Sequence, residues 1–282
     1  MVQRASPALG TASHSVWGAV ALYYALALLI SWIAWAPLVV SRAGLGWAPF
    51  VIPMPWVIVG TLGPLIAAAI VQWKTCRNLN LGLIGASWPR TVLGGIASVV
   101  VLAAVFVVGA AAILTNDPPK GWDPSAARLY GFHLLSTFAA GPLFEEWGWR
   151  GFAQARLQQH IRPLWAALLV GLGQALWHLP LFLIPTWSSA SPPAYFAMVS
   201  ALAVIIAWGF NLSGMSIIVA IILHATFNAS SRVLGGFLGT ADVREGADGV
   251  VAILVALGGL AIILALATKG QLAYRPAADR RE

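Results

Sequence analysis

Glu145 and Glu146 stand side by side at the end of a hydrophobic run, with Arg150 four residues beyond the second. On a helix that spacing puts Glu146 and Arg150 on one face, where they can pair. Glu145 is turned by about 100° around the same axis and meets other neighbours. One carboxylate therefore has an internal counter-ion and the other has none, which suits Glu145 to take a proton from water. A charged side chain at the centre of a membrane helix costs roughly 2.5–3.5 kcal/mol and by default marks a functional site. The competing reading is a cytoplasmic helix end, where charges are cheap.

Three more polar residues fall inside apolar runs. His178 lies in Gln174-Ala-Leu-Trp-His-Leu-Pro, and His224 precedes Asn228 by four residues, so imidazole and carboxamide share a helix face. Gln174 and His178 have the same spacing. Hydrolysis of an amide needs a base for water, donors for the oxyanion and an acid for the leaving amine. A Glu base, an imidazole beside it and a His/Asn donor pair meet those needs without a side-chain nucleophile. Glu145, His178 and His224 are also a plausible zinc set with an open fourth position, and spacing does not choose between the two. The H-E-x-x-H pattern is absent. No Asp lies within an expected span, which argues against an aspartyl dyad, and Gly214-Met-Ser216 lacks the second Gly of a G-x-S-G loop. His133 lies in the fourth expected span and is assigned to packing, while His14 and His160 fall in polar flanks.

The elements that must position these groups are membrane helices. The 282 residues are 60% hydrophobic and only 9% charged, with a net charge of +7; a soluble domain carries about 25% charged residues. The basic residues are scattered in short loops, as membrane topology requires, so a nucleic-acid partner is excluded. The single Cys76 forms no internal disulfide. Apolar runs of about 20 residues predict an all-α polytopic transmembrane bundle of about eight spans, at 16–40, 51–73, 91–116, 129–150, 163–184, 194–210, 214–236 and 249–268. The whole chain, 1–282, reads as one integral-membrane domain with its chemistry-bearing core at 142–228. With the N-terminus inside, the cytoplasmic segments hold most of the Lys and Arg, so both termini are expected in the cytoplasm. Acids outside the trio, Asp117, Asp123, Asp242, Glu245 and Asp248, fall in expected loops.

The segment Pro142-Leu-Phe-Glu145-Glu146-Trp-Gly-Trp-Arg150 resembles the E-E-x-x-x-R motif of the CPBP family of intramembrane proteases, which includes the endopeptidase that trims prenylated CaaX proteins. Trp177-His178-Leu-Pro180 resembles the family's second motif, and His224-Ala-Thr-Phe-Asn228 its third, H-x-x-x-N. The three occur in the expected order, each on its own span. The resemblance covers under a third of the chain. It implies that Glu145 activates water assisted by His178, that His224 and Asn228 stabilise the oxyanion, and that Glu146 and Arg150 support them. No cofactor is then required, with zinc at Glu145, His178 and His224 as the alternative. The implied partners are the lipid bilayer and a membrane-associated or lipid-modified substrate. Many members carry an aromatic where this chain has Gln174, which points to altered specificity. Thirteen of the sixteen basic residues are Arg, consistent with a GC-rich bacterium and a cytoplasmic-membrane location.

Straight helices do not bring these residues level. If the fourth span ends near Arg150, Glu145 lies close to its inner end, while His178 sits about 23 Å along its own span. A kink at Gly141-Pro142, or a fifth span that enters late, is expected, together with a water-accessible polar cavity facing the cytoplasm. Two other functions use the same residues: a non-catalytic immunity or scaffold protein on this fold, and a proton- or ion-coupled transporter.

Overall fold

A computed structural model describes residues 13–78, 87–114, 124–188, 190–237 and 247–276. The loop acids Asp117, Asp123, Asp242 and Glu245 lie outside the described residues, as do much of 74–90 and the C-terminal tail. Among the described residues the chain is helical, with no strand. The helices are α1 (Ser13–Val40), α2 (Val57–Cys76), α3 (Trp88–Leu114), α4 (Tyr130–Ala140), α5 (Pro142–Glu146), α6 (Ala155–Leu157), α7 (Pro163–Trp177), α8 (Pro192–Leu212), α9 (Ile217–Phe237) and α10 (Ala247–Ala267). A π-helical stretch, Trp147–Gln154, joins α5 to α6.

Six helices are long and apolar enough to cross a membrane, and α3 contributes a shorter apolar stretch, Trp88–Ala103. Together with the interrupted helical run Tyr130–Leu157, they make a polytopic helical bundle among the described residues. The protein is an integral membrane protein. Backbone polar groups in hydrocarbon must be satisfied internally, and α1 and α2 show how. Pro64 has no N–H to give Gly60, and the Ser31 hydroxyl donates to that orphaned carbonyl at 2.7 Å. Trp35 Nε1 donates to Val57 O at 2.8 Å, and Trp56 Nε1 to Ala34 O at 2.9 Å. Gly60 lies under the Trp35 indole, so any Cβ there would overlap the ring; small residues of this kind let membrane helices approach closely.

The helices α7, α8 and α10 pack side by side, as do α4 with α9 and α3 with α8 and α9. Thr137 on α4 donates to Ala225 O on α9 at 3.3 Å. The start of α3, the end of α8 and the chain beyond α10 meet at one end of the bundle. There they enclose a cavity of about 970 Å³ lined by Arg90, Asn211, Met215, Tyr274 and Arg275 among others. None of the candidate site residues lines it.

Candidate active site

The fourth pass is interrupted where Gly141 precedes Pro142. A proline ring disfavours the α conformation in the residue before it, and Gly141 adopts φ −172° and ends α4. Pro142 then starts α5 at the first helical position, where its missing N–H costs nothing. The amides of Phe144 and Glu145 both donate to Gly141 O at 2.9 Å. Beyond Glu146 the helix widens to the π form, a distortion that recurs at functional sites. Helical structure continues to Leu157, past the span end expected at 150. In hydropathy, the charged residues disguise the continuation. Glu145 is therefore followed by helical structure as far as Leu157 and does not sit at the end of its run, while His178 lies about 23 Å from the start of α7 at 1.5 Å per residue.

Glu146 is fully buried and doubly engaged. Arg150 Nη1 lies 3.1 Å from its Oε1 and 3.0 Å from its Oε2. His224 Nδ1 lies 2.7 Å from Oε1. An ionised carboxylate only accepts, so His224 Nδ1 carries the proton and Nε2 is left on the outer edge of the ring. His224 is 7% exposed. It lies two turns into α9, and Ser213 and Ser216 of the turn before that helix are fully buried.

Glu145 is held differently. Its Oε2 accepts from Gln174 Nε2 at 3.0 Å, a neutral amide. Gln174 Oε1 in turn accepts from Arg150 Nη1 at 3.2 Å. Oε1 of Glu145 faces Gly141, where any Cβ would overlap it. The contrast between the two glutamates that their spacing implies thus has a structural form: one carboxylate is paired with the Arg150 guanidinium and an imidazole, the other lies against an amide.

His178 caps the end of α7. Pro180 prevents the helix from continuing, and the last turn tightens so that His178 N donates to Ala175 O at 3.2 Å. Gln174 O, released from its usual i+4 partner, instead takes the His178 ring Nδ1 at 2.8 Å. A carbonyl only accepts, so His178 Nδ1 is protonated and Nε2 is the basic nitrogen of the neutral ring. Four aromatics surround the imidazole: Trp177, Tyr195, Trp187 and Trp35, with ring centroids 4.5, 5.3, 5.9 and 6.4 Å away. Asn228, one turn beyond His224, is partly buried, and its side chain has no hydrogen-bond partner among the described residues.

Glu145, Glu146, Arg150 and His224 therefore meet in one hydrogen-bonded network, with His178 attached through Gln174. His133 and the exposed His160 stay outside it. Sequence reasoning misses the bridging role of Gln174 and sees the position only as a departure from an aromatic; its i, i+4 spacing to His178 is the available signal. The network is closed in this conformation, with Glu145 5% exposed and Glu146 and Arg150 fully buried. Among the described residues, no three His, Cys, Asp or Glu side chains are gathered as a metal would need. The set Glu145, His178 and His224 is thus not assembled for zinc in this geometry.

A helical membrane bundle with buried carboxylates and imidazoles from three passes defines the class. Comparison with known proteins narrows it. The Rce1-like model of type II CAAX prenyl endopeptidases matches residues 127–230. The CAAX prenyl protease 2 of Methanococcus maripaludis is 28% identical over 135 residues, 44% of this chain and 49% of that protein. The chain spans about half the length of this curated relative. Residues 127–230, which hold all three motifs, are thus similar to the Rce1-like type II CAAX prenyl endopeptidases, in keeping with the resemblance of those motifs to the CPBP family of intramembrane proteases.

Proposed function

We propose that this protein is an intramembrane endopeptidase that hydrolyses a peptide bond in a membrane-associated or lipid-modified substrate by a glutamate-type mechanism. The observation that carries the reading is the unequal treatment of two adjacent buried carboxylates. Glu146 is paired with Arg150 and hydrogen-bonded by His224, whereas Glu145 is bonded to a neutral amide through Oε2 alone. In the proposed reaction Glu145 takes a proton from water as the water oxygen adds to the scissile carbonyl carbon. His178 Nε2 accepts a hydrogen bond from the same water and aligns it. The tetrahedral oxyanion receives hydrogen bonds from Asn228 Nδ2 and from Nε2–H of a doubly protonated His224, whose charge Glu146 balances. The proton on Glu145 then passes to the leaving amine as the C–N bond breaks, which restores the carboxylate. The orientation follows the Lys/Arg distribution, with both termini in the cytoplasm of a bacterial cell.

The test compares membranes containing the protein with otherwise identical membranes lacking it, scoring new peptide termini by mass spectrometry. A farnesylated peptide with a CaaX terminus is one probe and the native membrane proteome the other. New termini that require the protein are expected; identical patterns would leave the scaffold reading in its place. Cleavage is expected to survive a strong chelator, because water activated by Glu145 needs no metal. Loss with chelator and recovery with zinc would replace the glutamate mechanism by the metal one.

Two glycines, Gly141 just before the first motif and Gly148 within it, separate chemistry from folding. A Cβ at Gly141 would meet the tip of the Glu145 side chain, which can swing aside. Gly141→Ala is therefore expected to leave thermal unfolding nearly unchanged while slowing turnover by about 10²-fold, the effect of misplacing a catalytic group by about 1 Å. A Cβ at Gly148 would lie 2.6 Å from Pro64 O and 2.8 Å from Pro64 Cβ, on the facing helix α2. Gly148→Ala is expected to cost about 1–3 kcal/mol of stability, as overpacking does. Equal losses of stability in the two variants would contradict this assignment.

A further inference from the structure

We infer that Gln174 is a positioning residue for the proposed reaction, holding the base and its imidazole partner in register through two different groups; the inference rests on the endopeptidase reading above. The side-chain amide is polar in one sense only. Oε1 faces the Arg150 guanidinium at 3.2 Å and Nε2 faces the Glu145 carboxylate at 3.0 Å. Flipping the amide would set NH₂ against a cation and a carbonyl against an anion, so Arg150 dictates that a donor points at Glu145. The main-chain carbonyl of the same residue fixes the His178 ring at 2.8 Å. Gln174 is 5% exposed, so no solvent exchange loosens either bond.

This arrangement solves a problem that a direct ion pair would create. Glu145 bonded to Arg150 itself would be oriented, but with both its oxygens and its charge committed to a cation, as those of Glu146 are. An intervening amide passes on the geometry of the Arg150–Glu146 pair while occupying only Oε2. Oε1 remains on the Gly141 side, where the missing Cβ leaves it room. An aromatic at position 174 offers no such hydrogen bond. In this chain, therefore, the orientation of Glu145 depends on a residue of α7, the helix that also carries His178, so that base and imidazole move as a unit.

The experiment uses the full-length protein in lipid nanodiscs and, as substrate, the membrane peptide that the native protein cleaves fastest. Gln174→Met keeps the volume and removes both hydrogen bonds. Gln174→Leu removes the same two hydrogen bonds with a differently shaped, uncharged side chain, which guards against a packing defect in the first variant. Both are expected to lower kcat by about 10- to 100-fold, the scale of a displaced catalytic group, with KM nearly unchanged and thermal unfolding close to native. Glu145→Asp withdraws the carboxylate from Gln174, so adding Gln174→Met to Glu145→Asp is expected to cost nothing further. Multiplicative losses would mean that Gln174 acts on the fold and not through Glu145. If Glu145→Gln abolishes cleavage while both Gln174 variants match the native protein, the inference falls and the endopeptidase reading stands. If the native protein cleaves no membrane peptide, both fall together.

Discussion

Glu145→Gln is expected to lower turnover by about 10²–10⁴-fold, the contribution of a positioned general base, while the protein stays folded. The substitution is nearly isosteric, and a carboxamide oxygen at position 145 can still accept from Gln174 Nε2, now 3.0 Å from Oε2. No cation is hydrogen-bonded to Glu145 among the groups described, so none is left unpaired when its charge is removed. Burying an amide costs less than burying a carboxylate, so thermal stability should equal or exceed that of the native protein. The neighbouring Glu146→Gln is expected to behave in the opposite way. It withdraws the charge that Arg150 and His224 both lean on at 2.7–3.1 Å, and destabilises the fold as the breaking of a buried ion pair does. The check is a pairing of measurements on each variant, product termini by mass spectrometry and unfolding by intrinsic fluorescence. A Glu145→Gln variant that is folded and still cleaves at the native rate would remove Glu145 from the mechanism.

This opposition is partly legible in the residue order alone. A four-residue spacing on a helix is a local geometric fact, so the pairing of Glu146 with Arg150 can be read directly, as can the interruption at Gly141-Pro142. The length of the fourth pass cannot. Hydropathy ends a span where charge begins, whereas burial of the charges in a network lets the helix run on to Leu157. That extension moves Glu145 away from the end of its run, in the direction that the mismatch of straight spans requires. Nor is the partner of His224 legible, because Glu146 and His224 are 78 residues apart and only the packing of α5 on α9 joins them. Gln174 is visible as an anomaly, but its meaning needs the direction of two hydrogen bonds. Residue spacing within one helix is therefore readable, and contacts between helices are not.

Arg150→Met should be the most destabilising single change in the site, at about 3–5 kcal/mol, because it strands a buried carboxylate. One nitrogen, Nη1, serves both Glu146 and Gln174. Nε and Nη2 find no hydrogen-bond partner among the described residues, so the guanidinium is itself held in the bundle at a desolvation cost. The pair is therefore a poor stabiliser that is expensive to break, and the two properties separate in a double variant. Met at both 146 and 150 removes the two opposite charges together, leaving the Gln174 carbonyl and His224 Nδ1 to lose their partners. It is expected to recover most of the stability lost by Arg150→Met alone. Activity should not return, because His224 no longer has the carboxylate that orients it and balances its proposed charge. Unfolding of the three proteins in the same nanodiscs, followed by tryptophan fluorescence, measures the first claim, and product termini measure the second. A double variant as unstable as Arg150→Met would mean that the pair contributes stability in its own right. Recovered stability without recovered cleavage would show that Glu146 and Arg150 are kept for the geometry of the site and not for the strength of the fold.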